Sequence, residues 1–426
     1  MRIASSGVTE GSSLVAQGDW LYFDGKHWRP DLERRRELSA RHTARQIAAE
    51  MPFVPTRDRE RRTAHAQRSL GKAAIDRMIE MATPMLMASL EKLDANPWLL
   101  NVDNGTLNLQ TGTLQPHDPG DLIAKLAPVN YDPDAKAPVF GRFMQRVLNG
   151  NLGLFKYLQC ISGYTLTGST SEGVFFYLRG RHGNWEGTFV NNFREMLGDY
   201  AMHMSAEMLL VRARGDNPND LARLKGVRMA TASEAPAGKQ LDESRIKSMT
   251  RGDPITARFM RGEPFSFNPE LKLWFVANDA PRVRSTDDAL WALIRAIPFE
   301  AKISEGERDL PAKLRAEWPG ILAWAVRGCL AWQRGGLRTP PAVLAASASY
   351  RKRADQLRQF ILAYIDRKEG AVIASSIVYR AYADSCAAAQ VRPLGMREFK
   401  GQFEDHDYEH ARMNSGSVWR DICLRR

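Results

Sequence analysis

The sequence predicts a mixed α/β fold, a sheet of buried strands covered by helices, with an α-rich module before it and a smaller unit after it. Three observations carry this. Short continuous apolar runs at residues 173–180 (GVFFYLRG), 227–232 and 272–277 suit strands buried on both faces. These runs alternate with helical patterns, which places helices against a sheet. A Gly-rich loop and a helical segment from Phe189 to Leu197 directly follow the first run. Strand, glycine turn and helix form the context that a phosphate-binding loop requires.

The elements follow in order. Residues 1–17 are rich in Ser and Gly and are expected to be a flexible leader. Residues 20–28 (WLYFDGKHW) place aromatic residues on either side of Asp24-Gly25, a hairpin pattern. From 31 to 93 the pattern is helical, with Arg-rich exposed faces. Residues 96–117 carry Asn104-Gly105 and Thr111-Gly112 between short alternating runs, which predicts a β-meander. Helix returns over 139–168. Residues 255–260 and 264–267 flank Arg261-Gly262-Glu263 as a second hairpin.

Residues 311–335 predict a Trp- and Leu-rich helix pair. Pro340-Pro341 is the clearest linker signal. Beyond it, 342–426 predicts helices and a terminal strand pair. One helix starts over 354–360, and Ser375-Ser376 reads as the cap of a helix over 377–388. A helix over 395–403 exposes Arg397 and Lys400, and the closing strand begins at 418–420. The expected domains are therefore the leader (1–17), an N-terminal domain (18–150), a core (151–338) and a C-terminal domain (342–426).

Composition narrows the function. A chain of 426 residues has room for two to four domains. Its 44% hydrophobic and 26% charged content is that of an ordinary globular protein. No apolar run approaches the ~20 residues needed to span a membrane, and the N-terminus lacks a signal-peptide core, so a cytoplasmic location is expected. Cys160, Cys329, Cys386 and Cys423 form no CxxC pair, and the eight histidines show no H-E-x-x-H spacing. These absences argue against a zinc or redox centre. A net charge of +11 favours a polyanionic partner, most simply nucleic acid.

Four stretches carry a resemblance: 96–119 with 131–138, 157–180, 224–283 and 286–300. Together they resemble the poxvirus, phage and plasmid primase-helicase family within the superfamily 3 helicases, over nearly the whole chain from residue 18. The resemblance implies a P-loop core like that of the ATPases with diverse activities, an α-rich N-terminal module and a C-terminal winged helix. It implies ATP and Mg²⁺ as cofactors, single-stranded and forked DNA as partners, and a homo-oligomer, a hexameric ring. A primase or replication-initiation partner follows as well.

The family's loop resembles G-x-x-G-N-G-K-[SG]-T. On this chain Gly180, Gly183, Asn184 and Thr188 match, and Gly187 stands where Ser is usual. Trp185 replaces a Gly and Glu186 replaces the Lys. A Trp crowds a turn that can require φ > 0. Glu for Lys removes a charge-assisted bond worth about 1.5–3 kcal/mol and sets a carboxylate against a polyanion. Gly187 offers a metal no hydroxyl, which leaves that task to Thr188.

Other candidate residues also come from the resemblance. Glu234 follows a buried strand and becomes the acid that holds Mg²⁺ or polarises the attacking water; an acid at a strand end is also common. Asn278 becomes a γ-phosphate sensor, or else an Asn starting a turn. Paired arginines that reach a neighbouring subunit's γ-phosphate are replaced by Ala292 and Leu293, with Arg295 the nearby arginine, as finger or as structural residue. Lys247, Arg258 and Arg261 are candidates for gripping a DNA backbone; Phe259, Phe265 and Phe267 either stack on bases or pack the hairpin. Arg397 and Lys400 are candidates on the winged helix. The implied function is ATP-driven unwinding in phage or plasmid replication with the ATPase impaired. The competing reading is a non-hydrolysing ring-forming or DNA-binding scaffold.

Overall fold

The computed structural model describes residues 13–16, 18–53, 55–180, 185–211, 218–233, 241–259, 263–277, 283, 288–299, 301, 309–389, 393–404, 406–413 and 416–425. The chain divides into two compact units, 1–134 with 197–200, and 135–196 with 201–426.

The first unit opens with an antiparallel sheet of β1 (Ser13–Ala16), β2 (Asp19–Phe23) and β3 (Trp28–Pro30), in that order. The predicted hairpin is β2–β3, with Phe23 opposite Trp28. The expected leader is corrected at 13–16. Leu14, Val15 and Ala16 are buried, and Leu14 and Ala16 pack with Leu21, Phe23 and Trp28. Their burial depends on pairing with β2, which composition does not reveal.

Three helices follow, α1 (Arg35–Ala49), α2 (Arg59–Ser69) and α3 (Lys72–Ala82). The Asp31 carboxylate accepts from the backbone N–H of Arg35 (2.6 Å) and Arg36 (3.1 Å), satisfying two donors at the start of α1. α1 and α3 share a small core of Ala40, Ala44 and Ile75, whereas α2 buries only Ala66 and Ser69. The predicted meander is β4 (Leu99–Val102), β5 (Gly105–Asn108) and β6 (Thr113–Gln115). Beside it, His117 Nδ1 lies 2.9 Å from Asn101 Oδ1, while Asn101 Nδ2 donates to the carbonyls of Lys26 and Lys125, both at 3.0 Å. Burial holds the His117 imidazole below its usual pKa.

The second unit contains α4 (Pro138–Val147), α5 (Leu152–Leu166), β7 (Phe175–Gly180), α6 (Glu186–Leu197), β8 (Ala201–His203), α7 (Pro218–Ala222) and β9 (Met229–Ser233). It continues through α8 (Glu243–Arg251), β10 (Ile255–Ala257), β11 (Phe265–Phe267), β12 (Lys272–Val276), α9 (Asp288–Leu293) and β13 (Ile294–Phe299). Then come α10 (Leu310–Ala316) and α11 (Trp318–Gly335). Five parallel strands form one sheet in the order β13-β7-β12-β9-β8. All three predicted buried runs lie in it. β8 and β13 are too short or too mixed to have been singled out beforehand.

The sheet is apolar on both faces, as a parallel sheet between helices must be. Phe176 and Trp274 (ring centroids 4.9 Å apart) meet Phe189 of α6 on one face. Phe175, Tyr177, Leu273 and Phe275 share the other face's core with Ile246 and Met249 of α8 and Trp291 of α9. Close packing of α5 on α11 depends on two glycines. A Cβ on Gly163 would lie 2.0 Å from the Cys329 nitrogen, and one on Gly328 would lie 1.9 Å from the Gln159 carbonyl oxygen. Any side chain there would force the helices apart.

The C-terminal region comprises α12 (Pro341–Tyr364), β14 (Ile365–Ala374), α13 (Ser375–Ala388), α14 (Met396–Glu404), β15 (His410–Met413) and β16 (Gly416–Leu424). Pro340-Pro341 does not open a linker. It starts a 24-residue helix with Pro at the first helical position, where the missing N–H costs nothing. The first half of α12 serves the sheet. Tyr350 packs on Tyr177 (5.5 Å) and Trp291 (5.0 Å), and the Ser347 hydroxyl accepts from the Ala296 N–H at 2.9 Å. Its second half supplies Leu357, Phe360 and Ile361 to a separate core with Tyr382, Phe399, Phe403 and Trp419.

Two further expectations are corrected. The strand pair is a three-stranded antiparallel sheet in the order β14-β16-β15. β14 was hidden because Arg367, Lys368 and Glu369 interrupt its apolar pattern, at a break in its register with β16. Ser375 is the first residue of α13 and makes no capping bond; Ala374 precedes it in extended backbone, and the Ser375 hydroxyl lies 3.3 Å from that of Ser417.

Candidate functional site

The carboxyl edge of a parallel sheet is where open α/β folds bind ligands. Here β7, β12 and β9 end side by side, with Val276 in register with Leu178 on one flank and Ser233 on the other. Gly180 ends β7 opposite Phe299. The loops of interest leave these three strands. Gly183, Asn184, Glu234 and Asn278 lie outside the described residues, as does Arg261. The described part of the site is therefore Gly180 and the start of α6.

Trp185 adopts φ 63°, in the left-handed region, and its carbonyl accepts the first helical bond of α6 from Phe189 N–H at 3.1 Å. The backbone thus has the conformation that a glycine adopts freely, held here by a tryptophan at a cost of about 1–2 kcal/mol. Glu186 is the first residue of α6 and is buried. Its side chain folds back over the end of β7, so that a Cβ on Gly180 would meet the carboxylate at 2.5–2.7 Å. A carboxylate suits a helix N-terminus electrostatically, and it fills the space between strand end and helix start with negative charge. Gly187 and Thr188 are half-buried, and a Cβ on Gly187 would meet nothing within 4 Å. The described residues do not fit a triphosphate with its Mg²⁺. Among them, no group of three His, Cys, Asp or Glu side chains could hold a metal ion.

The opposite edge of the same sheet was missed from sequence. Lys272, at the start of β12, is fully buried. Its ammonium donates to the carbonyls of Thr167, Ser169 (3.2 Å) and Glu270 (2.9 Å), and lies 5.0 Å from the centre of the Tyr164 ring. Arg228, just before β9, is also buried and donates to the Leu166 carbonyl at 2.7 Å. The two cations serve carbonyls at and just beyond the end of α5, where cations are favoured. Burial, then the neighbouring Arg228, pushes the Lys272 ammonium well below the usual lysine range. The available signal was a cation at or next to the head of two of the three apolar runs, Arg228 and Lys272.

Of the expected paired-arginine positions, Ala292 is exposed and Leu293 is buried in the main core. Arg295 lies in register with Phe176, four residues before Gly180's partner Phe299, and so toward the other end of its strand. It donates to the carbonyls of Ala292 (2.5 Å) and Ile294 (3.3 Å). Lys247 is half-buried on α8, and Arg258 is exposed after β10. Phe259 stacks on Phe265 (5.4 Å), which meets Phe267 (5.9 Å), so the hairpin's aromatics pack on one another. On α14, Arg397 is exposed and Lys400 half-buried.

A family model described as D5 N terminal like matches residues 14–149, and a family of unknown function (DUF5906) matches 178–292. The candidate helicase L207/L206 of Acanthamoeba polyphaga mimivirus is 26% identical over 304 residues, 65% of this chain and 32% of that protein. The candidate helicase 022R of Frog virus 3 is 29% identical over 262 residues, 56% of this chain and 27% of that protein. The chain thus spans about a third or less of the length of these curated relatives. The structure of the NrS-1 C-terminal region aligns over 68% of this chain and 78% of that one, at 10% identity and a TM-score of 0.38, too weak a likeness to carry an argument. These matches support a relationship to the phage and viral primase-helicase family. Among the described residues, no helix is long and apolar enough to cross a membrane.

Proposed function

We propose that this chain is the helicase part of a phage- or virus-type DNA-replication protein whose own phosphate loop no longer holds ATP and Mg²⁺. One observation carries the second half of that reading: the buried Glu186 carboxylate lies against Gly180, where a phosphate cradle needs a cation. The first half is supported by the matches to the D5 N terminal like family model and to viral candidate helicases, by the five-stranded parallel sheet and by three candidate loops that leave adjacent strands at its carboxyl edge. The C-terminal order of helix, strand, two helices and two strands, with the first strand paired to the last, supports a winged helix. α14 is then its recognition helix, presenting Arg397 to DNA. The partners are single-stranded and forked DNA and further copies of the chain in a hexameric ring, with a primase or initiation protein as loading partner. Glu234 and Asn278 are the residues that would serve the metal and the γ-phosphate.

The same carboxylate favours a second reading, in which the chain is a non-hydrolysing scaffold of the replication assembly. Calorimetry with Mg-ATP decides. The expected result is no saturable binding by the natural chain, and binding gained by Trp185→Gly/Glu186→Lys/Gly187→Ser. Hydrolysis coupled to fork unwinding by the natural chain would refute the loss of ATP binding. A triple variant that folds but binds no ATP would locate the defect outside this loop.

A further inference from the structure

In the first unit, α2 is a helix without a core to justify it. Helices in proteins are held mainly by burial of an apolar stripe, yet α2 buries only two small residues, Ala66 and Ser69. It carries Arg59, Arg61, Arg62 and Arg68 against a single acid, Glu60. Arg57, in the turn that leads into it, lines up with Arg61, His65 and Arg68 at spacings of three and four, one exposed face of the helix. Little neutralises this stripe. Arg57 lies 3.5 Å from the exposed Asp58, Arg68 donates to the Ala64 carbonyl at 3.2 Å, and Arg61 has no ion-pair partner among the described residues. Like charges one turn apart repel, so the stripe costs stability when nothing lies on it.

Next to the stripe is Phe53, 89% exposed, the most exposed large apolar side chain among the described residues. Glu50, three residues before it, pairs with Arg62 of α2 at 3.6 Å, which ties the turn carrying Phe53 to the helix. Phe53 and Arg57 are four positions apart, a span of at most about 14 Å. A cationic track with an aromatic ring open to solvent matches the chemistry of single-stranded nucleic acid: phosphates pair with arginines, and an unstacked base lies on the ring. A duplex presents no free base face to Phe53, and an acidic peptide would leave the ring uncovered.

We propose that Phe53 and the Arg57–Arg61–His65–Arg68 face of α2 form a binding surface for single-stranded DNA, separate from the sheet and its loops. Nothing in this inference depends on the phosphate loop, so failure of the ATP experiment leaves it standing. The test uses the full chain and a 20-nucleotide oligo(dT). Ultraviolet cross-linking followed by tryptic mapping is expected to label the peptide 46–57, which contains Phe53. Phe53→Ala is expected to weaken oligo(dT) binding in fluorescence anisotropy about fivefold or more. Arg61→Ser/Arg68→Ser is expected to lower the slope of log affinity against log salt by about 1.4, at about 0.7 per phosphate contact. All three side chains are exposed, so melting curves should superpose on that of the natural chain. Cross-links confined to residues beyond 134, with both variants binding as the natural chain does, would overturn the proposal. So would a neutral Phe53→Ala combined with equal losses on single-stranded and duplex DNA in the arginine variant, since that marks a surface reading backbone charge alone.

Discussion

The two edges of the parallel sheet handle charge in opposite ways. At the amino edge two cations, Lys272 and Arg228, are buried against backbone carbonyls around the end of α5. At the carboxyl edge the position that family resemblance assigns to a lysine holds Glu186, buried against Gly180. At the amino edge the Lys272 ammonium and one Arg228 nitrogen donate to backbone carbonyls, and Arg228 Nε lies 3.9 Å from Glu270 Oε2. The carboxyl edge has a left-handed backbone position suited to glycine, at Trp185, beside the buried Glu186 carboxylate.

The sharpest way to break this comparison is to remove the buried ammonium. Lys272→Met keeps most of the stem but leaves the Thr167, Ser169 and Glu270 carbonyls without their donor. Urea unfolding is expected to show a loss of about 3 kcal/mol, since a buried carbonyl left without its donor costs about 1–3 kcal/mol. A loss under about 0.5 kcal/mol would mean that the carbonyls find other donors and that the amino edge is no more demanding than a surface site.

A smaller effect tests the retained loop backbone. Trp185→Gly is expected to be more stable than Trp185→Ala by about 1 kcal/mol, because alanine keeps the left-handed strain that glycine relieves. Equal stability of the two variants would show that the turn relaxes once the indole is gone.

The smallest effect concerns a polar group buried without a full charge. Burial lowers the His117 pKa from 6.5. Above that pH both the folded and unfolded chains hold a neutral imidazole. As pH falls below it, the unfolded chain takes up a proton that folded His117 resists, so stability declines until the lowered folded value is passed. His203 and His410 are shifted the same way, so the measurement is a difference. The decline in melting temperature from pH 7 to 5 should be shallower in His117→Asn than in the natural chain.

Much of the fold was legible in advance. Phe175–Gly180, Met229–Ser233 and Lys272–Val276 are runs whose burial on both faces leaves no polar alternation, and Asp24-Gly25 marks its hairpin. The unusual loop was also legible, down to a φ > 0 position occupied by Trp185. Other elements were not. Ser13–Ala16 is a strand only because β2 lies beside it, and β14 is interrupted by Arg367, Lys368 and Glu369. Pro340-Pro341 reads alike as the end of one domain or the start of a helix; Tyr350 packing on Tyr177 decides for the helix.

Sequence alone determined the three central strands of the core sheet, the resemblance to a helicase family, the charge excess and the residues that depart from that family's phosphate loop. These rest on local pattern and residue chemistry, which need no partners to be read. Tertiary structure decided what those residues do. It turned Glu186 back onto Gly180, put Leu293 in the core where an arginine was expected, buried Lys272 among carbonyls and left α2 without a core. Each of these depends on which distant residues share a space, and a one-dimensional pattern does not encode that.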